Sequence, residues 1–247
     1  MLTKAQSKYI RALSQQKYRK ECNQFVAEGD KIAKEWLKST QAIDMVVVTE
    51  SWYFEHAELV QQHNEAELII VKEHELAAMS SLSTAKDILL VLPQKPKKLD
   101  LKTLKGWSIA LDRLQDPGNM GTIMRIADWF GIDNIVASPD CVDIYNPKVV
   151  QSAMGAHIRV NVYTEELSSF LDNVNRPIYA AVLNGENIHT VEKKGEGVIL
   201  IGNESKGLDS VLIEKATHKI TIPKLGGAES LNAGVSAGIV CALLTQA

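Results

Sequence analysis

The sequence predicts an α/β protein made of two consecutive domains. In both halves of the chain, short apolar runs with strand character alternate with helical patterns, which is the pattern of α/β domains. In the second half these runs are apolar almost without interruption, as expected for a parallel sheet covered on both faces. Residues 96–105 belong to a Pro- and Lys-rich stretch that is typical of an exposed linker. We therefore predict domains at residues 1–95 and 106–247.

The first domain is predicted to be a small α/β fold. Helical patterns cover residues near 7–20 and residues 28–38. Strand candidates follow at 43–48, 67–71 and 87–92, with helical patterns between them. A small sheet flanked by helices accounts for this order of elements.

The second domain restarts the alternation and is predicted to form a parallel sheet. Ligands bind to such sheets at the carboxyl ends of the strands. We therefore expect the chemistry in the loops after Asp112, Leu183, Ile201 and Ile222. The strand candidates are 107–112, 134–138, 158–163, 177–183, 197–202 and 218–223, and the helix candidates lie near 120–130, 146–154, 165–173, 208–215 and 231–245.

The composition is that of a folded, water-soluble chain. Its 247 residues are 45% hydrophobic and 23% charged, with a net charge of −3. No apolar run has the length of a membrane span, and the basic N-terminus lacks the apolar centre of a secretory signal. The scattered cysteines Cys22, Cys141 and Cys241 do not suggest disulfides or a zinc cluster, and the histidines show no ligand spacing. We expect a cytoplasmic protein without a metal.

The first twenty residues differ from the rest because they contain no acidic side chain. A basic stripe of this kind is able to meet the phosphates of a nucleic acid. It is equally typical of a solvated helix face. Its members are Lys4, Lys8, Arg11, Lys17, Arg19 and Lys20.

The first loop with chemical character is the Asp-Pro-Gly-Asn turn at residues 116–119. Its Pro and Gly fix an irregular backbone, and Asn119 is suited to cap the helix that follows. Arg125 lies within that helix among apolar residues. A lone arginine is usually a surface residue, but apolar neighbours favour a buried or interface role.

The second loop runs from Gly202 to Gly207 and has the glycine spacing of a phosphate-binding loop. Leu208 and Asp209 follow where Lys and Ser/Thr are required, and Glu204 would repel a phosphate, so we reject nucleotide triphosphate binding. The two glycines are able to bring backbone amides close to a ligand, and they also suit an ordinary tight turn.

The third loop follows Pro223, and Ser230 or Asn232 is suited to cap the last helix. Each glycine in that helix lowers its stability by about 1 kcal/mol relative to alanine, so the run of small residues requires an explanation. They allow close approach to another backbone, or simply tight packing in the core. The small residues are Ala233, Gly234, Ser236, Ala237 and Gly238.

Together, the three loops resemble the motifs of the SpoU-type (TrmH-like) RNA ribose 2′-O-methyltransferases of the SPOUT superfamily. The resemblance covers roughly residues 105–247 and depends on three motifs in the family's order. One departure, Ala233 where many relatives have Val, keeps that position small. The matching residues are Asn119, Gly121 and Arg125; Gly202, Asn203, Glu204 and Gly207; and Ile222, Pro223, Gly226, Ser230, Leu231 and Asn232.

The resemblance implies a SPOUT domain with a deep trefoil knot, although knots are otherwise almost absent from folds. It also implies S-adenosylmethionine as the cofactor and a homodimer in which the helices near 120–130 and 231–245 meet a partner. The N-terminal half resembles the substrate-binding domain of many relatives, which looks like a small ribosomal RNA-binding protein. RNA is therefore the implied partner, and Lys17, Arg19 and Lys20 are the implied contacts.

The implied reaction moves a methyl group to a ribose 2′-hydroxyl, with ribosomal RNA favoured over tRNA. Arginine is a poor base, so we expect Arg125 to hold a substrate phosphate and stabilise the developing oxyanion. The other implied catalytic residues, which shape the pocket by hydrogen bonds, are Asn119, Glu204, Ser230 and Asn232. The implied cofactor-binding residues are Leu183, Gly202, Asn203, Gly207, Ile222 and Leu231.

Three other classes of protein fit the sequence less well. A non-catalytic RNA-binding protein that keeps the fold stays an alternative, although the intact motifs argue against it. A Rossmann-type enzyme needs Gly-x-Gly-x-x-Gly after its first strand, where this chain has only Gly118 and Gly121. A serine hydrolase needs Gly-x-Ser-x-Gly, and neither Ser205 nor Ser230 lies in that sequence.

Overall fold

The computed structural model describes residues 2–82 and 87–245, which fall into two compact units. The first unit contains the residues up to Lys95 together with Tyr145–Ile158. The second contains Pro96–Ile144 and the residues from Arg159 onward. None of the described helices is long and apolar enough to cross a membrane.

Within the described residues, the secondary structure consists of ten α-helices, ten strands and two short 3-10 helices at Leu101–Thr103 and Ala156–Ile158. The helices are α1 (Lys4–Ala12), α2 (Gln16–Cys22), α3 (Asp30–Leu37), α4 (Glu50–Gln61), α5 (Glu73–Met79), α6 (Pro117–Trp129), α7 (Pro147–Ala153), α8 (Leu167–Asn173), α9 (Ser210–Glu214) and α10 (Ala233–Thr245). The strands are β1 (Gln24–Glu28), β2 (Met45–Thr49), β3 (Glu67–Val71), β4 (Ile88–Pro93), β5 (Trp107–Leu111), β6 (Asn134–Ala137), β7 (Asn161–Thr164), β8 (Ile178–Asn187), β9 (Gly197–Ile201) and β10 (His218–Thr221).

The first unit contains a four-stranded sheet in the order β1-β4-β2-β3, in which only β2 and β3 run parallel. The single helix expected near residues 7–20 is two helices, because the chain turns between Ala12 and Gln16. Strand β1 was not predicted from the sequence. Asn23 adopts a left-handed conformation that ends α2, and the buried run Phe25–Ala27 is too short for its period to distinguish strand from helix.

One segment of the first unit comes from later in the chain. Val150 on α7 belongs to the apolar core of this unit, and Gln151 Nε2 donates a hydrogen bond to the Glu28 carbonyl at 2.8 Å. The contiguous division at residues 96–105 stays a prediction, and the compact units differ from it at Tyr145–Ile158.

The second unit contains six parallel strands in the order β10-β8-β9-β5-β6-β7. This confirms the predicted parallel sheet. The strand expected at 158–163 begins only at Asn161, because Ala156–Ile158 forms a short 3-10 helix. β5, β9, β8 and β10 are consecutive neighbours in the sheet. The predicted loops after Asp112, Ile201 and Ile222 therefore lie at the carboxyl end of one continuous block of strands, whereas Leu183 lies inside β8, which continues to Asn187.

Strand β8 has an irregularity near this edge. It pairs with β10 up to Ala180 and again from Glu186, so the residues between them lie outside the regular register. Gly185 is pressed against the backbone of β10, since an added Cβ would lie 2.5 Å from the Lys219 carbonyl oxygen. The irregular stretch contains Leu183, whose carbonyl accepts a hydrogen bond from Thr221 Oγ1 at 3.0 Å.

Candidate active site

The carboxylate of Glu204 connects the loop after β9 to the loop after β5. It accepts hydrogen bonds from the backbone N–H groups of Asp116 at 3.0 Å and Gln115 at 3.3 Å. It also accepts one from Asn119 Nδ2 at 3.1 Å. Three donors from the loop after β5 and the first turn of α6 therefore hold a single carboxylate of another loop.

This environment keeps Glu204 ionised. Burial is the largest single influence and raises the pKa of its carboxyl, but the hydrogen bonds from Asn119, Asp116 and Gln115 together lower that pKa below its ordinary value. Because the pKa of Glu204 is lower in the folded than in the unfolded state, its carboxylate stabilises the fold at pH values above the unfolded-state pKa. This stabilisation is lost as the pH falls through the folded-state pKa. Glu204 is therefore suited to hold loops together and is a poor acceptor for a proton.

Asn119 extends the connection to the third loop. Its Oδ1 accepts a hydrogen bond from Asn232 Nδ2 at 2.8 Å, while its Nδ2 donates to Glu204. Asn232 Oδ1 in turn accepts from the backbone N–H groups of Gly234 and Val235, so Asn232 caps α10 as one of the two expected residues. A chain of side-chain hydrogen bonds, Asn232–Asn119–Glu204, therefore joins all three motif loops.

The cap expected for α6 was wrong. The helix begins at Pro117, and the side chain of Asp116 accepts the hydrogen bond of the Asn119 backbone N–H at 2.8 Å. Proline at the first helical position and aspartate before it are a favourable combination. Asn119 thus lies inside the first turn, where its own side chain is free to bridge Glu204 and Asn232.

The loop after β9 closes on itself. Asn203 and Gly207 exchange backbone hydrogen bonds at 3.1 and 3.0 Å, and Gly207 adopts a left-handed φ of 68°. An added Cβ on Gly202 would lie 2.4 Å from the Gly207 carbonyl carbon. Gly202 is needed because the backbone of the loop itself fills the space of a side chain. Gly207 is favoured for a different reason, its left-handed backbone, since an added Cβ there has no neighbour within 4 Å among the described residues.

A charged pair that contacts this loop was not predicted from the sequence. Asp112 is buried and accepts two hydrogen bonds at 2.9 Å from Nε and Nη2 of Arg113. The pKa of Arg113 is raised because of these bonds to Asp112. Arg113 Nη1 also lies 3.5 Å from Asp209 Oδ2. The available signal was two charged residues directly after a buried strand.

The structure does not bring Arg125 into the Asn232–Asn119–Glu204 chain. It follows Asn119 by six residues, which places it about 9 Å further along α6 and on a different side of the helix. Its side chain is exposed and makes no hydrogen bond or ion pair with another residue in the described part of the chain. Arg125 therefore remains available to a bound molecule.

The remaining predicted site residues surround the edge of the sheet. Ser230 lies at the end of the exposed stretch 223–230 and bonds to no other described residue. Leu183 and Leu231 are 70% and 48% exposed, and Ile222 is half-buried. Apolar side chains thus face solvent around this edge, where polar residues would be the normal choice.

Two of the small residues of α10, Gly234 and Gly238, face α6. An added Cβ on Gly234 would lie 3.1 Å from Thr122 Cγ2, and one on Gly238 would lie 3.5 Å from Ile126 Cδ1. Glycine is therefore needed mainly at Gly234, where the two helices approach most closely. This packing holds Asn232, at the start of α10, against Asn119 on α6.

In the first unit, one predicted RNA contact is corrected. Arg19 is only 2% exposed, and its Nη1 donates to the carbonyls of Leu13 and Ser14 at 3.0 and 2.8 Å. Its guanidinium satisfies carbonyls at the end of α1 and is not available to a phosphate. Lys17 and Lys20 are exposed, as a phosphate-binding role requires.

Two family models match the chain. Residues 106–242 match the SpoU rRNA Methylase family, and residues 4–89 match the MRM3-like substrate binding domain. Among curated proteins, the 23S rRNA (guanosine(2553)-2′-O)-methyltransferase RlmP of Bacillus subtilis (strain 168) is 28% identical over 232 residues. That alignment covers 92% of this chain and 91% of the relative.

Solved structures of other proteins match the fold of this chain over nearly its whole length. The AdoMet-bound rRNA methyltransferase from Sinorhizobium meliloti matches with a TM-score of 0.87 and 27% identity, covering 99% of this chain and 95% of that one. A Porphyromonas gingivalis protein assigned to the TrmH family of RNA methyltransferases matches with a TM-score of 0.84 and 29% identity, covering 99% and 98%. The match to the SpoU rRNA Methylase family covers more than half of the sequence, and the three motif loops of this chain are joined by hydrogen bonds. The chain therefore belongs to the SpoU rRNA methylase family.

Proposed function

We propose that this protein transfers the methyl group of S-adenosylmethionine to a ribose 2′-hydroxyl of ribosomal RNA. The observation that carries the proposal is the Asn232–Asn119–Glu204 chain, which joins the three motif loops at the carboxyl ends of neighbouring strands. The named activity of the Bacillus subtilis relative, 2′-O-methylation of a guanosine in 23S rRNA, favours ribosomal RNA over tRNA.

The edge of the sheet fits the cofactor. The exposed side chains of Leu183 and Leu231 and the half-buried Ile222 offer an apolar surface for an adenine ring. The backbone of Gly202 is suited to the polar parts of a nucleoside, and the Asn203 carbonyl keeps one lone pair for the same purpose, because the Asn203 N–H is already bonded to Gly207. When bound, S-adenosylmethionine supplies a methyl group already activated by the positive charge on its sulfur.

The protein's own contribution is to position the hydroxyl and stabilise the charge that develops on it. Arg125 is exposed, permanently charged and able to bind a phosphate through its planar fork, so we assign it to the RNA backbone and the developing oxyanion. We also assign Ser230, which is exposed and bonds to no other described residue, as a hydrogen-bond donor to the substrate. Asn119, Glu204 and Asn232 set the shape of the pocket, and Gly207 shapes the loop that closes it.

Calorimetric titration of the purified protein with S-adenosylmethionine tests the proposal. We expect saturable binding close to one cofactor per subunit, together with transfer of labelled methyl groups to ribosomal RNA. The demethylated product should compete for the same site. A folded protein that binds RNA but leaves the 2′-hydroxyls unmodified would favour the non-catalytic alternative.

Lys17 and Lys20 are proposed to contact RNA phosphates. Replacing both by glutamine should weaken RNA binding and reduce the slope of log affinity against log salt by about 1.5, because two fewer phosphates are neutralised. The ion pair of Lys17 with Glu21 at 3.9 Å is exposed and opposes this role only weakly. Filter binding over a salt series measures the slope.

The control for this pair is the double variant Lys102→Gln with Lys105→Gln. Both lysines are exposed but lie before β5, at the amino end of the sheet. Their loss should leave the slope unchanged. An equal reduction in both double variants would show a general charge effect and remove Lys17 and Lys20 from the RNA contact.

We also propose a homodimer formed through α6 and α10. Trp129 at the end of α6 is 82% exposed, and Val235 on α10 is 51% exposed. Large apolar side chains at such exposure are typical of an interaction surface. The deep trefoil knot implied by the family resemblance and the cytoplasmic location expected from the scattered cysteines stay predictions.

Sedimentation of the Trp129→Glu variant tests the dimer. A buried glutamate without a partner is costly, so we expect a monomer at concentrations where the wild-type protein is a dimer. Phe54→Glu is the matched control because Phe54 is 87% exposed on α4 in the other unit. A Trp129→Glu protein that sediments as a dimer would place the interface elsewhere.

A further inference from the structure

Two consecutive residues after β5 hold the loop after β9 at three points. The backbone N–H of Asp112 donates to the Ile201 carbonyl at 2.9 Å, where the loop begins. The Arg113 carbonyl accepts a hydrogen bond from Asn203 Nδ2 at 2.7 Å, within the loop. Asp112 Oδ2 accepts one from the Asp209 backbone N–H at 2.9 Å, where the loop ends and α9 begins. Asp112 and Arg113 therefore determine the path of the whole loop.

The conformation of Arg113 makes the middle contact possible. Its φ of 52° lies in the left-handed region, which non-glycine residues rarely adopt. In this conformation its N–H donates to Ser138 Oγ at 2.8 Å, while its carbonyl is directed to Asn203. Such a backbone persists only where surrounding contacts maintain it.

The side chain of Arg113 provides those contacts. Its guanidinium binds both carboxylate oxygens of Asp112 and also reaches Asp209, so one fork connects the two anchors of the loop. Asp112 is 3% exposed, and a carboxylate at that depth needs a hydrogen-bonded partner. Lysine cannot replace this bidentate geometry.

We infer that Arg113 is a positioning residue for methyl transfer. It fixes Asp112 and Asp209 so that the loop containing Asn203 and Glu204 has its cofactor-binding shape before the cofactor arrives. The inference rests on the proposed function, since it assigns a role in binding S-adenosylmethionine. Arg113 itself is one step removed from the cofactor and acts through the loop.

Three substitutions distinguish the effect of the Arg113 side chain from the effect of its left-handed backbone conformation. Arg113→Ala removes the fork and leaves the left-handed strain, whereas Arg113→Gly removes the fork and the strain together. We expect both variants to bind S-adenosylmethionine about tenfold more weakly, because the loop is no longer preorganised. Arg113→Gly should melt at or above the temperature of Arg113→Ala, and Arg113→Lys should lose an intermediate amount of affinity.

The readouts are the dissociation constant for S-adenosylmethionine, KM and kcat for methyl transfer, and the melting temperature. The effect should appear in the dissociation constant and in KM for the cofactor, with KM for RNA unchanged. Arg176→Ala is the matched control. Like that of Arg113, the guanidinium of Arg176 connects separate segments of the chain: it donates to the carbonyls of Leu104 and Gly106 and pairs with Glu196, but it lies at the amino end of the sheet.

The outcomes distinguish a role of Arg113 in positioning the loop from a purely structural role. If Arg113→Gly restores wild-type affinity, the side chain only relieves backbone strain and the inference is overturned. It is also overturned if Arg176→Ala weakens cofactor binding as much as Arg113→Ala does. A wild-type protein that fails to bind S-adenosylmethionine would overturn the proposed function and this inference together, whereas wild-type binding with unchanged affinity in all three variants would overturn the inference alone.

Discussion

Replacing Arg125 by alanine is expected to lower kcat for methyl transfer at least about a thousandfold, while the affinity for S-adenosylmethionine stays within about twofold. The side chain is exposed and bonds to no other described residue, so its removal should not disturb the fold. It also lies outside the Asn232–Asn119–Glu204 chain that holds the motif loops. Incorporation of labelled methyl groups into ribosomal RNA measures the loss, and calorimetry measures cofactor binding.

Arg125→Lys is the control for charge alone. It retains the positive charge but loses the planar fork that binds a phosphate through two hydrogen bonds. We expect partial activity, between the wild type and Arg125→Ala. Near-normal turnover of Arg125→Ala would contradict the assignment, and a parallel loss of cofactor binding would show that Arg125 contacts the cofactor.

The Gly202→Ala variant should lose detectable binding of S-adenosylmethionine. The added methyl would lie 2.4 Å from the Gly207 carbonyl carbon and from the Leu208 nitrogen, which are backbone atoms that cannot rotate away. The loop must therefore move, and overpacking of this kind costs about 1–3 kcal/mol of stability. Because the shift carries Asn203 and Glu204 with it, activity should disappear even where the protein stays folded.

Gly227→Ala is the matched substitution. Gly227 lies in the exposed stretch 223–230, and an added Cβ there has no neighbour within 4 Å among the described residues. We expect its cofactor affinity and melting temperature to equal those of the wild type. Wild-type affinity in Gly202→Ala would show that the loop after β9 adapts to a side chain, and the close approach at Gly202 would then have no role in binding.

Elements with a strong apolar pattern were predicted well from sequence. The second unit is a parallel sheet as expected, because strands buried on both faces leave continuous apolar runs such as Val198–Ile201. Shorter and more local features were missed. The strand Gln24–Glu28 has no distinctive period, and the buried Arg19 cannot be told from its exposed neighbours by charge.

The sequence predicted which residues belong to the candidate site, but it did not predict how they are arranged or bonded to one another. Motif resemblance selected Asn119, Glu204 and Asn232, and the structure joins them by hydrogen bonds. Arg113 was missed because its contribution depends on a left-handed backbone and on its own carbonyl, and neither is visible in residue type. Gly185 was missed for a similar reason, since the need for glycine there comes from the approach of β10.

The bond between Asn119 and Asn232 spans 113 residues of chain. A ribosome adds about 5 to 20 residues per second, so roughly 6 to 23 seconds pass between the synthesis of its two ends. Until then the nascent polypeptide lacks a closed cofactor pocket, however well its earlier strands have formed. Contacts between residues so far apart in sequence also slow folding, because the entropy cost of closing a long loop comes before the favourable contacts form. Methyl transfer should therefore be among the last properties that a newly made chain acquires, and cofactor binding should report the completion of folding.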